Sequence, residues 1–170
     1  MDEINRLIVD QVPHLRRYAR ALLRDADAAD DLVQDCLTRA MGRLHLWTPG
    51  SNMRTWLFSI LHNQHVNSAR RLAHRPDQID FAPSHAALQA THPEQSGRHE
   101  VRDLGRALEQ LPEEQRQVIL LVGLEGLAYS EVAHVLDLPM GTVMSRLNRG
   151  RQRLREIIEQ DEGPVLRRVK

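Results

Sequence analysis

The chain has 170 residues, 41% of them apolar but only 4% aromatic, and its 23 basic and 23 acidic side chains cancel. That length holds one compact domain or two small ones. No apolar run reaches the ~18–20 residues of a membrane span, and the single cysteine, Cys36, excludes an internal disulfide and any multi-cysteine zinc site.

With so few aromatics, Leu, Val, Ile and Ala must fill the core. The start, Met1-Asp2-Glu3-Ile4-Asn5, lacks the basic and apolar stretches of a secretory signal. A soluble protein of a reducing cytoplasm, without membrane insertion, is expected.

Helical periodicity dominates, and the expected class is all-α. Residues 2–12 predict a short helix with Ile4, Leu7 and Ile8 on one side. Pro13 suits the first turn of a second helix, where its missing N–H costs little. That helix carries Leu15, Tyr18, Ala19, Leu22 and Leu23 as one stripe. Asp27 is the expected N-cap of a third helix, whose stripe is Leu32, Val33, Cys36, Leu37, Ala40 and Leu44. Its other face holds Asp30, Asp31, Gln34 and Asp35. Thr48-Pro49-Gly50 breaks the chain, and Ser51 or Asn52 caps a fourth helix to about Arg71, with Trp56, Leu57, Ile60 and Leu61 inward.

Residues 74–100 are rich in turn and linker chemistry, with Pro76, Pro83, Pro93 and Gly97. Twenty-seven residues without regular structure are unusual inside one domain. The expected organisation is therefore a domain over 1–73, a flexible linker over 74–100 and a second domain over 101–170. Extended, the linker reaches roughly 90 Å at ~3.3–3.6 Å per residue. In the second domain Val101, Leu104, Leu108 and Leu111 form a stripe, and Pro112 opens a helix with Val118, Ile119, Leu121 and Val122 inward. Gly123 and Gly126 mark a turn. Ser130 is the expected cap of a short helix over Glu131–Leu136, and Met140–Ile158 forms the last long helix.

Charge is unevenly placed. Residues 1–73 balance at +2, from ten Arg against eight acids, and residues 74–100 at −2, from two Arg against four acids. Residues 101–170 are neutral, yet Thr142–Arg155 holds five Arg and no acid. Lys170 is the only lysine. Arg suits phosphates and base edges through its planar pair of donors, although such a preference can also follow genome composition.

Tyr129–Arg155 has the layout of a helix-turn-helix: a short helix with Val132 and Ala133, a tight turn, then a longer helix. On the last helix Val143, Leu147, Gly150 and Leu154 fall within about 60° of one another at ~100° per residue. Ser145, Asn148, Arg149 and Gln152 lie opposite, flanked by Met144, Arg146, Arg151 and Arg155. Such a face fits the major groove, where Arg takes guanine and Asn takes adenine by paired hydrogen bonds. The remaining arginines hold phosphates.

The segment from Ala107 to Glu156, ALEQLPEEQRQVILLVGLEGLAYSEVAHVLDLPMGTVMSRLNRGRQRLRE, resembles the promoter-binding domain of extracytoplasmic-function (ECF) sigma factors of bacterial RNA polymerase. Asp30-Asp31-Leu32-Val33-Gln34-Asp35 resembles the core-binding helix of that family, and Arg54-Thr55-Trp56-Leu57-Phe58-Ser59-Ile60-Leu61-His62-Asn63 its DNA-opening segment. Three motifs in register, over about 150 residues, imply sigma region 2 over 1–73 and sigma region 4 over 101–170.

The resemblance implies three sets of site residues. Asp30, Asp31, Leu32, Gln34 and Asp35 would dock on the clamp helices of the largest polymerase subunit, with the flap as a further polymerase contact. Taken alone, the acidic face reads first as a solvated helix start stabilised by the helix dipole, and only the resemblance favours docking. Asn63 would hold an unstacked base of the minus-ten element on its Watson–Crick edge, with Asn67, Arg70 and Arg71 tracking the strand. Trp56 matches an aromatic position of the family, but core packing is its expected role. Thr142, Met144, Ser145, Arg146, Asn148, Arg149 and Arg151 would contact the minus-thirty-five element. Met144 and Asn148 depart from the residues common among relatives, so the resemblance implies the role of this face but not the promoter sequence it reads.

Pro49 to Phe58 further resembles a subgroup serving general stress responses in alphaproteobacteria, which implies a small anti-sigma factor as partner. The expected function is a sigma factor, not an enzyme and without a cofactor. The alternatives are a stand-alone helix-turn-helix regulator and a sigma-like decoy for an anti-sigma factor. The regulator lacks a sensing pocket or dimer motif, and the decoy has no use for Asn63 and the Arg face. His62 and His65 have no Cys nearby and no second pair, so polar-face histidines are expected rather than a metal site or an enzyme's centre.

Overall fold

The computed structural model describes residues 2–73 and 95–161. Among the described residues there are seven helices, α1 (Asp2–Leu23), α2 (Ala26–Met41), α3 (Met53–Ala73), α4 (Gln95–Glu109), α5 (Glu113–Ile119), α6 (Tyr129–Leu136) and α7 (Met140–Asp161). A single 3-10 turn spans Leu44–Leu46, and no strand forms among the described residues.

The first half is built on three long helices rather than the four expected, because α1 runs straight through Pro13. A proline inside a helix withholds the N–H that its residue i−4 carbonyl needs. Here that carbonyl belongs to Val9, and both Val9 and Pro13 face solvent, so water can serve it. The inner stripe is continuous across the site: Ile8, Leu15, Tyr18, Ala19 and Leu22 are all buried, whereas Leu7 is largely exposed. The α2 cap falls on Asp25, not Asp27. Arg24 takes a left-handed turn at φ 62°, and the extended Asp25 that follows accepts the Ala28 N–H at 2.8 Å. Asp27 sits in the first turn, where its charge still favours the helix dipole.

Asn52 rather than Ser51 caps α3, accepting the N–H groups of Arg54 at 3.0 Å and Thr55 at 3.3 Å. Leu32, Val33, Cys36 and Ala40 of α2 pack against Leu57, Phe58 and Leu61 of α3. Tyr18 meets Phe58 edge-on at 5.4 Å between ring centres. Trp56 is only partly buried at the margin of this core. Each fully buried Leu, Val or Phe contributes about 1.5–3 kcal/mol relative to leaving it in water.

In the second half, α4 begins at Gln95, inside the stretch read as linker; the rest of that stretch lies outside the described residues. Leu104 points to solvent and Ala107 is buried in its place, with Leu108 and Leu111 inward. Beyond α5 the helix widens into a π turn over Leu120–Leu124, closed by Glu125 N–H donating to the Leu120 carbonyl at 3.0 Å. Gly126 follows at φ 66°, a conformation that costs a residue with a Cβ.

Helix α6 starts at Tyr129, two residues earlier than the expected Glu131. Extended Ala128 occupies the cap position, and Glu131 reaches back to accept its N–H at 2.8 Å. Asp137, left-handed at φ 51°, ends α6, and the Pro139 carbonyl accepts from Thr142 at 2.9 Å to start α7. Val132, Val135, Val143 and Leu147 close the core of the helix-turn-helix.

Helix α7 lies on α5 at the glycine of its buried stripe. A Cβ at Gly150 would stand 2.8 Å from the Ile119 Cδ1 and 3.2 Å from the Gln115 Cβ. Gly150→Leu is therefore expected to destabilise the protein by about 1–3 kcal/mol, the usual range for overpacking. Urea unfolding checks this, with Gly141→Leu as control, since a Cβ at Gly141 meets nothing within 4 Å.

A second test concerns the core thiol. Burial pushes Cys36 up to about 12, and its Sγ donates to the Leu57 carbonyl at 3.5 Å. Alkylation at mildly alkaline pH is expected to proceed only as fast as the protein unfolds, because the thiolate is the nucleophile.

Candidate nucleic-acid and polymerase-binding faces

Helix α7 turns its apolar stripe to α5 and α6 and leaves Met144, Asn148, Arg149 and Arg151 exposed, with Thr142 and Ser145 half-buried at its start. Ser145 Oγ donates to the Thr142 carbonyl at 3.1 Å. Arg149 lies along the helix, donating to Ser145 Oγ at 3.3 Å and to the Ser145 carbonyl at 3.4 Å. These contacts are solvent-exposed, so the guanidinium gives them up at little cost for a charged partner. Arg146 differs from its neighbours. It is half-buried and pairs with Glu114 of α5 at 3.0 Å, which ties α7 to α5.

Asn63, Asn67, Arg70 and Arg71 are all exposed on α3. At i, i+4, i+7 and i+8 they form one helical face, and Arg71 Nε donates to the Asn67 carbonyl at 3.4 Å. On α2, Asp31, Gln34 and Asp35 are exposed. Asp30 is engaged by α1, 3.1 Å from Arg20 and 3.8 Å from Arg16. Leu32, expected among the docking residues, is 7% exposed and belongs to the core; it supports the acidic face from behind. The structure thus carries the three groups on three different helices.

The strongest polar constellation was not among the sequence expectations. Glu125, just beyond the π turn, has a side chain with no solvent exposure. Its Oε1 accepts from Arg17 Nε at 2.8 Å, and its Oε2 from Arg17 Nη2 at 3.0 Å and Arg54 Nη2 at 2.7 Å. His14 Nδ1 also lies 3.0 Å from Oε2. The Arg54 and Arg17 guanidinium groups donate besides to the carbonyls of Glu125, at 2.6 Å, and Leu124, at 3.1 Å. The Glu125 hydrogen bond raises the pKa of Arg17, which remains a cation.

Every donor in this cluster comes from α1 or α3, and the carboxylate from the other half. The same polarity recurs around it. Glu131 of α6 accepts from Asn52 and, at 3.1 Å, from Thr55 Oγ1. Glu113 of α5 meets His65 at 2.6 Å. Arg24 reaches the carbonyl of Glu109 in α4. The signal in the sequence was a lone acid within the apolar run Val118–Leu127, since a carboxylate in such a run is buried only with partners. Among the described residues, no group of three or more His, Cys, Asp or Glu side chains is placed to hold a metal.

A helix-turn-helix with a cationic face, joined to a helical half that bears an acidic face and an Asn/Arg face, is the architecture of a two-domain sigma factor. Residues 8–62 match the family described as the Sigma2 domain of PhyR, and residues 102–154 match Sigma-70, region 4. The ECF RNA polymerase sigma factor EcfG of Rhodopseudomonas palustris (strain TIE-1) is 36% identical over 167 residues, which cover 96% of this chain and 91% of that protein. The ECF RNA polymerase sigma-E factor of Escherichia coli (strain K12) is 33% identical over 148 residues, 81% of this chain and 75% of that one. Among solved structures, the sigma factor RpoE of Bartonella quintana, crystallised with the anti-sigma factor NepR, superposes with a TM-score of 0.79 at 34% identity, covering 95% of this chain and 99% of that one. The chain belongs to the ECF family of RNA polymerase sigma factors, the transcription initiation factors that its motifs had suggested.

His62, next to Asn63, is half-buried rather than on a polar face. Burial, then the charge of His65, hold its pKa below the ordinary 6.5, and Glu113 opposes them in part. The unfolded chain therefore binds the proton more readily than the folded one. The stability His62 confers is complete above about pH 6.5 and is lost as pH falls below it. His62→Gln is expected to flatten the decline of Tm between about pH 7.5 and about pH 5.5, measured by calorimetry against the parent.

Proposed function

We propose that this sigma factor holds core RNA polymerase through the acidic face of α2 and reads a two-part promoter through α3 and α7. The observation that carries the reading is the exposed row Met144, Asn148, Arg149 and Arg151 on the second helix of the helix-turn-helix. That row stands opposite a stripe whose Val143 and Leu147 are buried. Asn148 and Arg149 contact base edges of the minus-thirty-five element, Met144 packs on thymine methyls, and Arg151 holds phosphate. Thr142 and Ser145 address the backbone near the start of α7, where the helix dipole favours an anion. Arg146 contributes by fixing the angle between α7 and α5.

Asn63 takes an extruded base of the minus-ten element. Asn67, Arg70 and Arg71 follow the strand. Asp31, Gln34 and Asp35, with Asp30 behind its arginine pairs, meet a basic surface on the clamp helices of the largest subunit, and region 4 meets the flap. The polymerase performs the chemistry; this chain contributes binding and strand opening, needs no cofactor, and works in the bacterial cytoplasm where the polymerase is. Affinity for free DNA is modest, since net charge is zero and few phosphates are neutralised per half. Two weak contacts joined on one polymerase give specificity through effective concentration. An anti-sigma factor of the general-stress kind is the regulator, in keeping with the NepR complex of the Bartonella quintana relative.

In-vitro transcription with core enzyme and a promoter library tests the reading. Arg149→Ala is expected to lower promoter use by about 1–3 kcal/mol, roughly 5- to 150-fold, and to spare core binding. Asp35→Arg is expected to weaken core binding roughly tenfold while leaving isolated α7 contacts intact. Normal initiation by both variants would overturn the site assignments.

A further inference from the structure

The two halves of the molecule close on one buried carboxylate, and a closed molecule is too small for the task proposed above. A compact body of about 140 residues has a radius of gyration near ~14 Å and measures roughly 37 Å across. Elements named minus-ten and minus-thirty-five lie about 25 base pairs apart, roughly 85 Å at ~3.4 Å per pair. One closed molecule cannot reach both. The joint between the halves must open when the promoter is engaged.

We infer that Glu125, clamped by Arg17, Arg54 and His14, is the latch that holds the free protein closed. The geometry has the three properties a latch needs. The carboxylate is entirely buried and both of its oxygens are used, so closure depends on it. All of its side-chain partners come from the opposite half. Those partners keep one face in water, with side chains of Arg17 49%, His14 37% and Arg54 25% exposed. On parting, the cations rehydrate readily, and Glu125, beyond a π turn at the molecular surface, returns to solvent as well. Ionic groups that regain water on both sides make a reversible joint, unlike an apolar seam.

The π turn aims this residue. The Glu125 N–H bonds to the carbonyl five residues back rather than four, which displaces the side chain by roughly 100° from the direction an α-helical register would give it. Wide turns of this kind recur at functional positions. The surrounding contacts of Glu131 and Glu113 are exposed on at least one side and act as a rim.

The test measures the free protein first. Spin labels at Asp27→Cys in α2 and Arg153→Cys in α7, both exposed positions, report the separation of the halves by pulsed electron resonance; Cys36 is buried and stays unlabelled. The parent is expected to give one narrow distance within the closed diameter. Glu125→Gln keeps the shape but sets an amide N–H₂ against a cluster of donors, and is expected to raise the open population at least tenfold. Arg17→Met, on the other side of the joint, shifts it the same way. The double variant opens less than the sum of the two single effects, because Arg17 and Glu125 share one ion pair. Circular dichroism confirms retained helix. Unchanged distances in both single variants would overturn the latch, as would additive effects in the double.

This inference rests on the promoter reading only for its consequence. In transcription at limiting core enzyme, Glu125→Gln is expected to reach half-maximal initiation at roughly tenfold lower concentration than the parent. Failure of the parent itself to initiate would refute the promoter reading and leave the distance measurement standing.

Discussion

Charge pairing across the joint between the two halves shapes the whole molecule. Four glutamates of the second half, Glu109, Glu113, Glu125 and Glu131, each meet a donor from the first half through a side chain or a carbonyl. The first half carries the positive surplus of the sequence. The second half, neutral in sum, places five arginines on α7 between Thr142 and Arg155 and four glutamates at the joint. Separation of sign within one neutral domain serves both ends: α7 stays cationic toward nucleic acid, and the joint stays anionic toward α1 and α3.

The contacts differ in weight because they differ in burial. Exposed pairs such as Arg20 with Asp30 contribute little in water and are screened by salt. Glu125 is fully desolvated, so its satisfaction by paired guanidinium donors is obligatory once the halves close. A buried ion pair of this kind is not a strong net source of stability, but leaving one partner alone in the interior is costly. The result is a joint that is specific in register and conditional on one residue.

The faces proposed for nucleic acid and polymerase follow a different rule. Asn63, Asn67, Asn148, Arg149, Asp31 and Asp35 are exposed and held by helices whose opposite faces are packed tightly. Their positions were legible because a helix of known period fixes which residues share a face. Arg146 was not legible. Its place in the row suggests a phosphate contact, yet Glu114 lies 3.0 Å away on α5. A partner on another element, distant in sequence, cannot be read from spacing. Leu32 illustrates the converse: adjacent to acidic residues in the motif, it turns inward because its helical phase is that of Val33 and Cys36.

The amino-acid sequence alone determined the all-helical class, the helix-turn-helix, the three motif-bearing faces and the resemblance to ECF sigma factors, since these rest on local period and residue type. It misjudged where helices start, because a proline on a solvent face, an early aspartate or a backward-reaching glutamate can each rescue an end that local rules assign elsewhere. Only the tertiary structure decided that α1 is one helix, that Glu125 is the buried centre of the joint, and that Arg146 braces α5. Each of those depends on which surfaces meet, and burial converts an ordinary charged side chain into a structural necessity only after distant parts of the chain come together.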